Sequence, residues 1–465
     1  MNMINVRRLT VMTFLGAGML SGISAQVSPL QVDTLKETKI PDQWDLQSCI
    51  DYAKEQNITI RKNRITAAST QIDVKTAKAA LFPSLSFSTG HQVVNRPYQE
   101  TSSRVSGSEI ISSNSKTSYN GNYGLNASWT LYNGNKRLKT IQQEKLNNQM
   151  AELDVATSEN NIQESIAQVY IQILYAAESV KVNENTLQVS IAQRDRGQEL
   201  LNAGSIAKSD LAQLEAQVST DRYQLVTAQA TLEDYKLQLK QLLELDGENE
   251  MNIYLPALSD ENVLAPLPTK RDVYISALSL RPEIEASKLN VEASELGINI
   301  AKSSYFPTIS LSAGIGTNHT SGSDFTFGEQ VKNGWNNSIG LSVSVPIFNN
   351  RQTKSAVQKA KLQYETSMLS LLDEQKALYK TIESLWLDAN SAQQRYAAAN
   401  EKLKSTQISY ELISEQFNLG MKNTVELLTE KNNLLQAQQE QLQAKYMAIL
   451  NTQLLKFYKG DQLAL

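Results

Sequence analysis

Residues able to carry out chemistry are sparse in this sequence. Its 465 residues include two histidines and one cysteine, and it has no phosphate-binding glycine loop, zinc-binding His/Glu motif, nucleophile elbow or cysteine cluster. His91 and His319 have no second metal ligand nearby, so neither predicts a metal site. Carboxylates lie mainly on predicted helical faces, where solvation or pairing within the helix is expected. The sequence therefore predicts no enzyme, no cofactor and no metal centre.

Three charged side chains follow glycines at which predicted helices end. Asp210 comes six residues after Gly204, and Glu426 comes six residues after Gly420, with Lys422 between them. An acidic side chain near the start of a helix is favourable, because the free N–H groups there carry partial positive charge. Helix capping is therefore one role open to these residues.

The balance of charge disfavours one class of partner. The chain carries 44 basic and 48 acidic side chains, a formal net charge of −4. That balance leaves no basic excess for following a phosphate backbone. We therefore do not expect nucleic acid as a partner.

The N-terminal residues 1–25 have the pattern of a secretory signal peptide. Arg7 and Arg8 precede an apolar run from Leu9 to Leu20, and small residues follow up to Ala25. The run is about 12 residues long, whereas a transmembrane helix needs roughly 20. No later stretch approaches that length, so any part of the chain that enters a bilayer must do so as strands.

The single cysteine, Cys49, cannot form a disulfide within the chain, and no cysteine directly follows the signal to accept a lipid. At helical spacing it shares a face with Leu46, Ile50 and Ala53. We therefore interpret Cys49 as a small core residue.

The chain has the pattern of an internal duplication. The stretch from Leu81 to Gly90 matches Tyr305 to Gly314 at an offset of 224 residues. The stretch from Leu131 to Gly134 then matches Ile347 to Asn350 at an offset of 216. The same offset of 216 pairs the two helix-ending glycines, so both halves have equal spacing from strand exit to glycine. Two structural repeats per chain are predicted.

Four segments alternate between apolar and polar residues with a period of two, namely Leu85 to Val93, Tyr119 to Leu131, Ile309 to Thr317 and Trp335 to Val345. The longest suit the roughly 9 to 11 residues that cross a bilayer at a tilt, whereas soluble strands average about 5 or 6. Four strands are too few to close a barrel, and open edges are not tolerated in lipid. Membrane strands would therefore require several copies of the chain. The aromatic residues that suit membrane interfaces are Tyr119, Tyr123, Trp129 and Trp335.

Two very long helices are predicted after the strands. One series, apolar but for three polar interruptions, steps by four and then three from Val357 to Phe417 and passes through Met368, which is the spacing of a heptad seam. Part of the same seam runs from Ile162 to Val180. At 1.5 Å per residue, each helix would be about 100 Å long. A shorter helix precedes each strand pair, and another returns after each glycine, so the fold class is mostly α with a pair of β-hairpins.

These patterns divide the chain into six segments. They are the signal peptide (1–25), an N-terminal segment with a girdle helix (26–57), repeat 1 (58–244), a girdle linker (245–280), repeat 2 (281–455) and a C-terminal tail (456–465). Repeat 1 holds a hairpin at 83–131, a long helix at 135–202 and a tip at 203–209. Repeat 2 holds a hairpin at 307–347, a long helix at 351–418 and a tip at 419–423.

The ordered motifs resemble the TolC family of outer-membrane efflux proteins over essentially all of the chain after the signal. They are Arg281-Pro282-Glu283 at a helix start, the Phe82-Pro83 and Phe306-Pro307 pairs, Val345 to Asn349 at a strand exit, and the two glycine-centred tips. The resemblance implies a homotrimer in the Gram-negative outer membrane. Its twelve-stranded β-barrel would continue into a twelve-helix periplasmic α-barrel.

The resemblance also implies partners and a passive function. Such a channel conducts small molecules or polypeptides from an inner-membrane transporter of the RND or ABC type, through a periplasmic membrane-fusion adaptor, to the outside. Outer-membrane lipid would surround the barrel. The residues expected to contact the adaptor are Gly204, Ser205, Ile206, Lys208, Gly420, Met421, Lys422 and Asn423.

The family also suggests a role for the charges near the tips. Basic and acidic residues after the second tip help to close the periplasmic entrance or tune its ion selectivity, and Lys422 and Glu426 match those positions, with Asp210 at the first tip. A further acidic residue of the family falls on Thr429, and Thr130 replaces the proline found at Pro346. A gate and a simple helix cap both remain open. A structural coiled-coil fibre is the alternative to a channel.

Overall fold

The computed structural model describes residues 41–98, 102–106, 109–113, 116–246, 251–256, 263–321, 323 and 325–463, with the backbone alone given for 102–106 and 109–113. All elements below belong to one compact unit, Gln43–Leu465. The predicted signal peptide lies outside the described residues. Within them, no helix is both long enough and apolar enough to cross a membrane.

The elements follow one another in an order that begins with short helices and ends with long ones. The helices are α1 (Leu46–Gln56), α2 (Ile58–Ala79), α3 (Lys136–Asn202), α4 (Lys208–Leu242), α5 (Lys270–Leu280), α6 (Pro282–Lys302), α7 (Phe327–Asn333), α8 (Gln352–Asn418) and α9 (Thr424–Lys459). The strands are β1 (Ser84–Asn95), β2 (Ser102–Ser106), β3 (Glu109–Ser113), β4 (Thr117–Asn133), β5 (Thr308–Thr320) and β6 (Asn336–Ser344).

The two long helices α3 and α8 contain 67 residues each. Each begins after a left-handed residue, Asn135 at φ 62° and Arg351 at φ 63°. Each ends just before a glycine in the same region, Gly204 at φ 74° and Gly420 at φ 73°. Glycine adopts this conformation without a Cβ clash, so both ends reverse the chain at little cost.

The helices form a layer with a defined neighbour order. Helices α2, α4, α6 and α9 all pack along α3. Helices α6 and α9 also pack against α8. The layer therefore has four columns, in the order α2 with α4, α3, α6 with α9, and α8.

The sheet has four antiparallel strands in the order β1-β4-β5-β6. Strand β4 pairs with β5 from Asn120 opposite Thr320 to Asn133 opposite Thr308, with a register shift between Thr130 and Tyr132. This central pairing joins the two predicted hairpins into one sheet. Among the described residues, β1 and β6 each have one neighbour, so both are edge strands.

The loops between the paired strands contain structure that the sequence patterns did not predict. Strands β2 and β3 form a separate two-stranded ribbon between β1 and β4. Helix α7 lies between β5 and β6, and Thr326 and Glu329 form a capping box at its start. Both loops are therefore partly ordered by local hydrogen bonds, which Ser- and Asn-rich sequence does not reveal.

The largest apolar cluster lies where the short helices meet the middle of α3. Trp44 forms a parallel bridge with Ile253, and its backbone N–H donates to Asn252 O at 2.8 Å. Cys49 is fully buried in this cluster, with Leu46, Ile50 and Ala53, as its helical face predicted. Burial raises the pKa of the Cys49 thiol to about 12.

The segment predicted as a C-terminal tail begins with the last turn of α9 and then packs against the apolar core. Helix α9 continues to Lys459, past the predicted boundary at residue 455, and Gly460 caps it at φ 110°. Leu463 then packs into the main apolar cluster at 5 % exposure. This apolar contact fixes the chain after the helix ends. The segment beyond residue 455 is too short to show a hydrophobic periodicity that would predict the contact.

The predicted heptad seam of α8 holds in its second half. Leu378, Ile382 and Tyr396 on that seam are buried. Nearer the sheet, Met368 is 50 % exposed, while its neighbour Ser367 is buried and its hydroxyl lies 2.8 Å from Ser294 Oγ. Within one chain Met368 is therefore less covered than Ser367, because the α6 contact falls on Ser367.

Arg281, the first residue of the Arg-Pro-Glu motif, lies where three helices meet. Its side chain is 5 % exposed and contacts Glu164 of α3 at 2.7 Å. Its guanidinium also stacks 3.6 Å from the centroid of the Tyr458 ring in α9. Pro282 occupies the first turn of α6, where its missing N–H costs nothing. Arg281 therefore joins α6, α3 and α9 by charge and stacking.

Candidate functional site: two helical tips and a two-faced sheet

The two tips have nearly the same backbone geometry. At the first, Ser205 N–H donates to Leu200 O at 2.8 Å, and at the second, Met421 N–H donates to Gln416 O at 2.8 Å. Both glycines have open space where a Cβ would lie. The tips are therefore reversals built from α-helix ends, glycine and short backbone hydrogen bonds.

The second tip carries a complete side-chain cap. Asn423 Oδ1 accepts from Glu426 N–H at 2.9 Å, and Glu426 Oε2 accepts from Asn423 N–H at 3.2 Å. Lys422 Nζ donates to Glu426 Oε1 at 2.6 Å. The hydrogen bond from Lys422, together with the Asn423 N–H, lowers the pKa of the Glu426 carboxyl below its usual value. Lys422 and Glu426 thus satisfy each other and the helix start within one chain.

The first tip is capped less completely. Asp210 Oδ2 accepts from Ala207 N–H at 3.0 Å, while Ala207 has no side-chain oxygen to cap α4. Ser205 and Lys208 are exposed, and Ile206 is partly buried. At both tips, the predicted adaptor-contacting and entrance residues cluster around the reversal.

Three apolar side chains are exposed at the second tip, and the sequence reasoning missed two of them. Leu419 is 75 % exposed, Met421 is 70 % exposed and Val425 is 58 % exposed. Of these, only Met421 had been predicted as a contact. Comparison with the positions 216 residues earlier would have revealed all three, because those positions hold Ala203, Ser205 and Ser209.

A buried polar cluster above the tips was also missed. Lys431 of α9, Asp221 of α4 and Ser190 of α3 are 3 %, 1 % and 2 % exposed. The Lys431 ammonium donates to both Asp221 Oδ2 and Ser190 Oγ, and the Ser190 hydroxyl also contacts Asp221. Burial lowers the pKa of Lys431, while the ion pair with Asp221 acts in the opposite direction. The cluster ties the first tip hairpin to α9.

The register of the four-stranded sheet separates its two faces as far as the shift between Thr130 and Tyr132. Phe87 lies opposite Leu125, Leu125 opposite Ile315, and Ile315 opposite Asn337. Odd-numbered positions therefore share one face, which carries most of the large apolar side chains, and even-numbered positions share the other. Exposed apolar residues of the odd face include Leu85, Phe87, Ile339, Leu341 and Val343.

The predicted interface aromatics lie on the odd face or at its border. Trp129 lies near the helical end of β4, and its Nε1 donates to Leu81 O at 2.7 Å. Tyr119 and Tyr123 lie toward the other end of β4. Trp335, 57 % exposed, immediately precedes β6. The four rings therefore mark both ends of the sheet.

The two histidines that looked unrelated in sequence are brought close together. His91 and His319 both lie opposite Gly121, one on each neighbouring strand. Tyr119 stacks on His91 with ring centroids 5.8 Å apart, and its hydroxyl lies 2.6 Å from His91 Nδ1. Within the described part of the chain, no group of three or more His, Cys, Asp or Glu residues could hold a metal ion.

Comparison with known proteins decides the family. A family model described as "Outer membrane efflux protein" matches residues 49–244 and 273–460. The chain belongs to this family. The resemblance to TolC-type efflux proteins drawn from the tips and motifs is therefore confirmed, and the match covers both halves of the chain. The family's place is the outer membrane, with a helical extension into the periplasm.

Relatives of known name are similar at low identity. The outer membrane efflux protein BepC of Brucella suis is 24 % identical over 63 % of this chain and 61 % of its own length. The matched part of the chain therefore spans about three fifths of that relative. The toxin and drug export protein A of Aggregatibacter actinomycetemcomitans is 22 % identical over 89 % of this chain and 87 % of its own length.

A solved structure shows the same fold. The outer membrane protein VceC of Vibrio cholerae superposes with a TM-score of 0.73 at 16 % identity, over 90 % of this chain and 97 % of that one. The TolC-like, mostly helical fold class is therefore confirmed.

Proposed function

We propose that this protein is the outer-membrane channel of a tripartite efflux or type I secretion system and conducts its cargo passively. The observation that supports this most is the separation of an apolar and a polar face along most of a sheet with two open edges. A sheet of this kind is stable in a bilayer only when its edges are paired and its apolar face meets lipid. Cargo then moves along the polar face without covalent chemistry.

Edge-strand pairing between copies completes the barrel. Strand β1 of one copy pairs with β6 of the next, which satisfies the free backbone groups of both edges. Three copies of a four-stranded sheet supply the twelve strands that the TolC resemblance implies. The protein is therefore a homotrimer.

The helical layer supports the same assembly, because its outer columns carry unpartnered apolar side chains. On α2 and α4 these are Ile58, Ile65, Ile72, Tyr223, Val226 and Leu237. On α8 they are Leu362, Leu369, Leu372, Ile408 and Leu412. A head-to-tail contact between unlike edges closes into a ring when the rotation between copies allows it. The strand order β1-β4-β5-β6 and the order of the four helical columns run in the same direction across the molecule. One rotation between copies therefore closes the strands into a twelve-stranded barrel and the helices into a twelve-column barrel.

The segments of the chain take corresponding roles. Repeat 1 (58–244) and repeat 2 (281–455) each supply two strands and two columns of this wall. The segments 26–57 and 245–280 supply a girdle around the helices, and the bridge between Trp44 and Ile253 supports this role. The rings of Tyr119, Tyr123, Trp129 and Trp335 lie at the two membrane interfaces, in contact with outer-membrane lipid.

The tips face the periplasm and meet a membrane-fusion adaptor joined to an RND or ABC transporter. Names of relatives support an export role, since one is an alkaline protease secretion protein and another a cation efflux system protein. The contact surface comprises Gly204, Ser205, Ile206, Lys208, Gly420, Met421, Lys422 and Asn423. Most of these residues are exposed around the two reversals, which suits end-on contact with another helical hairpin.

Asp210, Lys422 and Glu426 border the periplasmic entrance. Within one chain, Lys422 and Glu426 cap a helix and pair with each other, and the gate role adds contacts between copies. Charge reversal by Lys422→Glu or Glu426→Lys is expected to raise closed-state conductance in planar bilayers. Unchanged conductance in both variants would leave these residues as caps alone.

The channel itself is tested by isolating the full-length protein from the outer-membrane fraction. Heat-resistant trimers that form pores in planar bilayers are expected. Monomeric or soluble rod-shaped material without conductance would contradict the channel and favour the alternative, a coiled-coil fibre, which the family match does not support.

A further inference from the structure

The polar face of the sheet has an unusually uniform composition. Even-numbered positions in 84–92, 120–128, 310–318 and 336–344 are all Ser, Asn or Gly, apart from Gln92. The register places these positions beside one another on all four strands, for example Ser84 opposite Ser128 and Ser128 opposite Ser312. The face is thus a continuous surface of small, neutral side chains.

Four of the nine serine hydroxyls on this face donate to the sheet itself. Each acceptor is a backbone carbonyl on the neighbouring strand. The pairs are Ser84 to Ser128 O at 3.3 Å, Ser86 to Asn126 O at 3.4 Å, Ser312 to Gly340 O at 3.3 Å and Ser338 to Gly314 O at 3.5 Å. Because a hydroxyl has one hydrogen to donate, these serines offer acceptor oxygens but no free donor to a passing solute.

Asparagine side chains on this face lie across glycines of the neighbouring strands. A Cβ built at Gly90 would lie 2.6 Å from Asn122 Oδ1, one at Gly314 would lie 3.3 Å from Asn126 Oδ1, and one at Gly316 would lie 3.5 Å from Asn336 Oδ1. The amides thus occupy the space that a glycine leaves free and lie along the wall.

We propose that this face is a neutral, partly self-bonded lining of the barrel lumen that neither binds cargo nor sorts it by charge. This rests on the proposed channel function, which turns the polar face inward. A lining without fixed charge exerts no ionic field on a solute, and low-lying side chains keep the bore wide. The barrel therefore accepts cargo of either charge, and charge selection occurs in the helical section.

The test places a ring of charge on the lining of the full-length trimer. Ser342 is exposed on the even face of β6, and Ser342→Asp, Ser342→Lys and the neutral Ser342→Asn are compared by reversal potential under a KCl gradient. The K⁺/Cl⁻ permeability ratio is expected to rise about threefold with Asp and fall about threefold with Lys, because three like charges in a low-dielectric wall focus the field. The Asn variant is expected to match the wild type.

Two results would overturn this proposal without contradicting the proposed channel function. The first is a conducting channel in which neither charged variant changes the permeability ratio. The second is a conductance gain in the triple variant Asn122→Ala, Asn126→Ala, Asn336→Ala, since amides that lie along the wall leave the bore unchanged when removed. A wild-type protein without any conductance would instead refute the proposed function.

Discussion

The two tips share a backbone but differ in chemistry. Gly204 and Gly420 have φ values of 74° and 73°, and the chain around each is closed by equivalent backbone hydrogen bonds. Yet the first tip exposes Ser205, while the second exposes Met421 and Leu419. The comparison shows that glycine and helix-end geometry set the reversal, which leaves the exposed side chains free to specialise.

The return helices differ in the same way. At the start of α9, Asn423 completes a capping box, whereas Ala207 at the matched position before α4 cannot. Further along, Lys431 is buried against Asp221, whereas Glu215, 216 residues earlier, is exposed. The helical hairpin at the second tip, α8 with α9, therefore carries more polar interactions near its turn. The helical hairpin at the first tip, α3 with α4, is joined to α9 through the cluster at Lys431.

The largest expected effect is at this buried cluster. Lys431→Met leaves the Asp221 carboxylate buried without its cation, so the free energy of unfolding should fall by about 3–5 kcal/mol. The matched Glu215→Met should change it by less than about 0.5 kcal/mol. Chemical unfolding in detergent, followed by tryptophan fluorescence, measures both. Restoration by adding Asp221→Leu to Lys431→Met is expected, and a failure to recover would mean that packing rather than charge was lost.

Substitution of either tip glycine should give equal and smaller losses. Open space surrounds both Cβ positions, so Gly204→Ala and Gly420→Ala add only the left-handed backbone penalty of about 1–2 kcal/mol. Asparagine at either position should cost less than alanine, because it tolerates this conformation. The same unfolding assay applies, and a loss at one tip several times that at the other would disprove their backbone equivalence.

Exchanging the exposed residues between the two tips tests which tip contributes more to adaptor binding. Leu419→Ala, Met421→Ser and Val425→Ser together give the second tip the chemistry of the first, and the loss of three exposed apolar side chains should weaken adaptor capture about tenfold, or about 1.4 kcal/mol. Mild crosslinking in cells, followed by quantification of the co-purified adaptor, measures this. The control adds three apolar residues to the first tip.

That control is Ala203→Leu, Ser205→Met and Ser209→Val. Capture should not fall in this variant, because no existing apolar contact is removed. If instead both triple variants lose capture equally, the apolar surface of the second tip is not the anchor.

The smallest expected effect concerns the caps. Asn423→Ala removes the acceptor for Glu426 N–H, which should cost about 1 kcal/mol. Ala207→Asn should stabilise the start of α4 by a similar amount, since Ala207 provides no side-chain cap. Hydrogen exchange of the first-turn amides of each helix measures the change locally, and identical protection in both variants would contradict the difference.

Prediction from sequence succeeded where one short window contains the information. The face formed by Cys49 and Ala53 follows from helical spacing, and both residues are fully buried. It missed contacts that packing between elements decides, as at Ser367 of α8, whose hydroxyl meets that of Ser294 of α6. It also missed β2, β3 and α7, because their loops lack apolar periodicity and depend on local caps and pairing.

The sequence by itself determined the type, order and approximate length of the main elements, the two faces of each long strand and the glycine reversals. Those properties follow from backbone sterics and side-chain periodicity within a few residues. Only the tertiary structure brought Ser190, Asp221 and Lys431 together and placed His91 and His319 on either side of Gly121. Such contacts depend on the register between elements far apart in the chain, which packing sets and no local window contains.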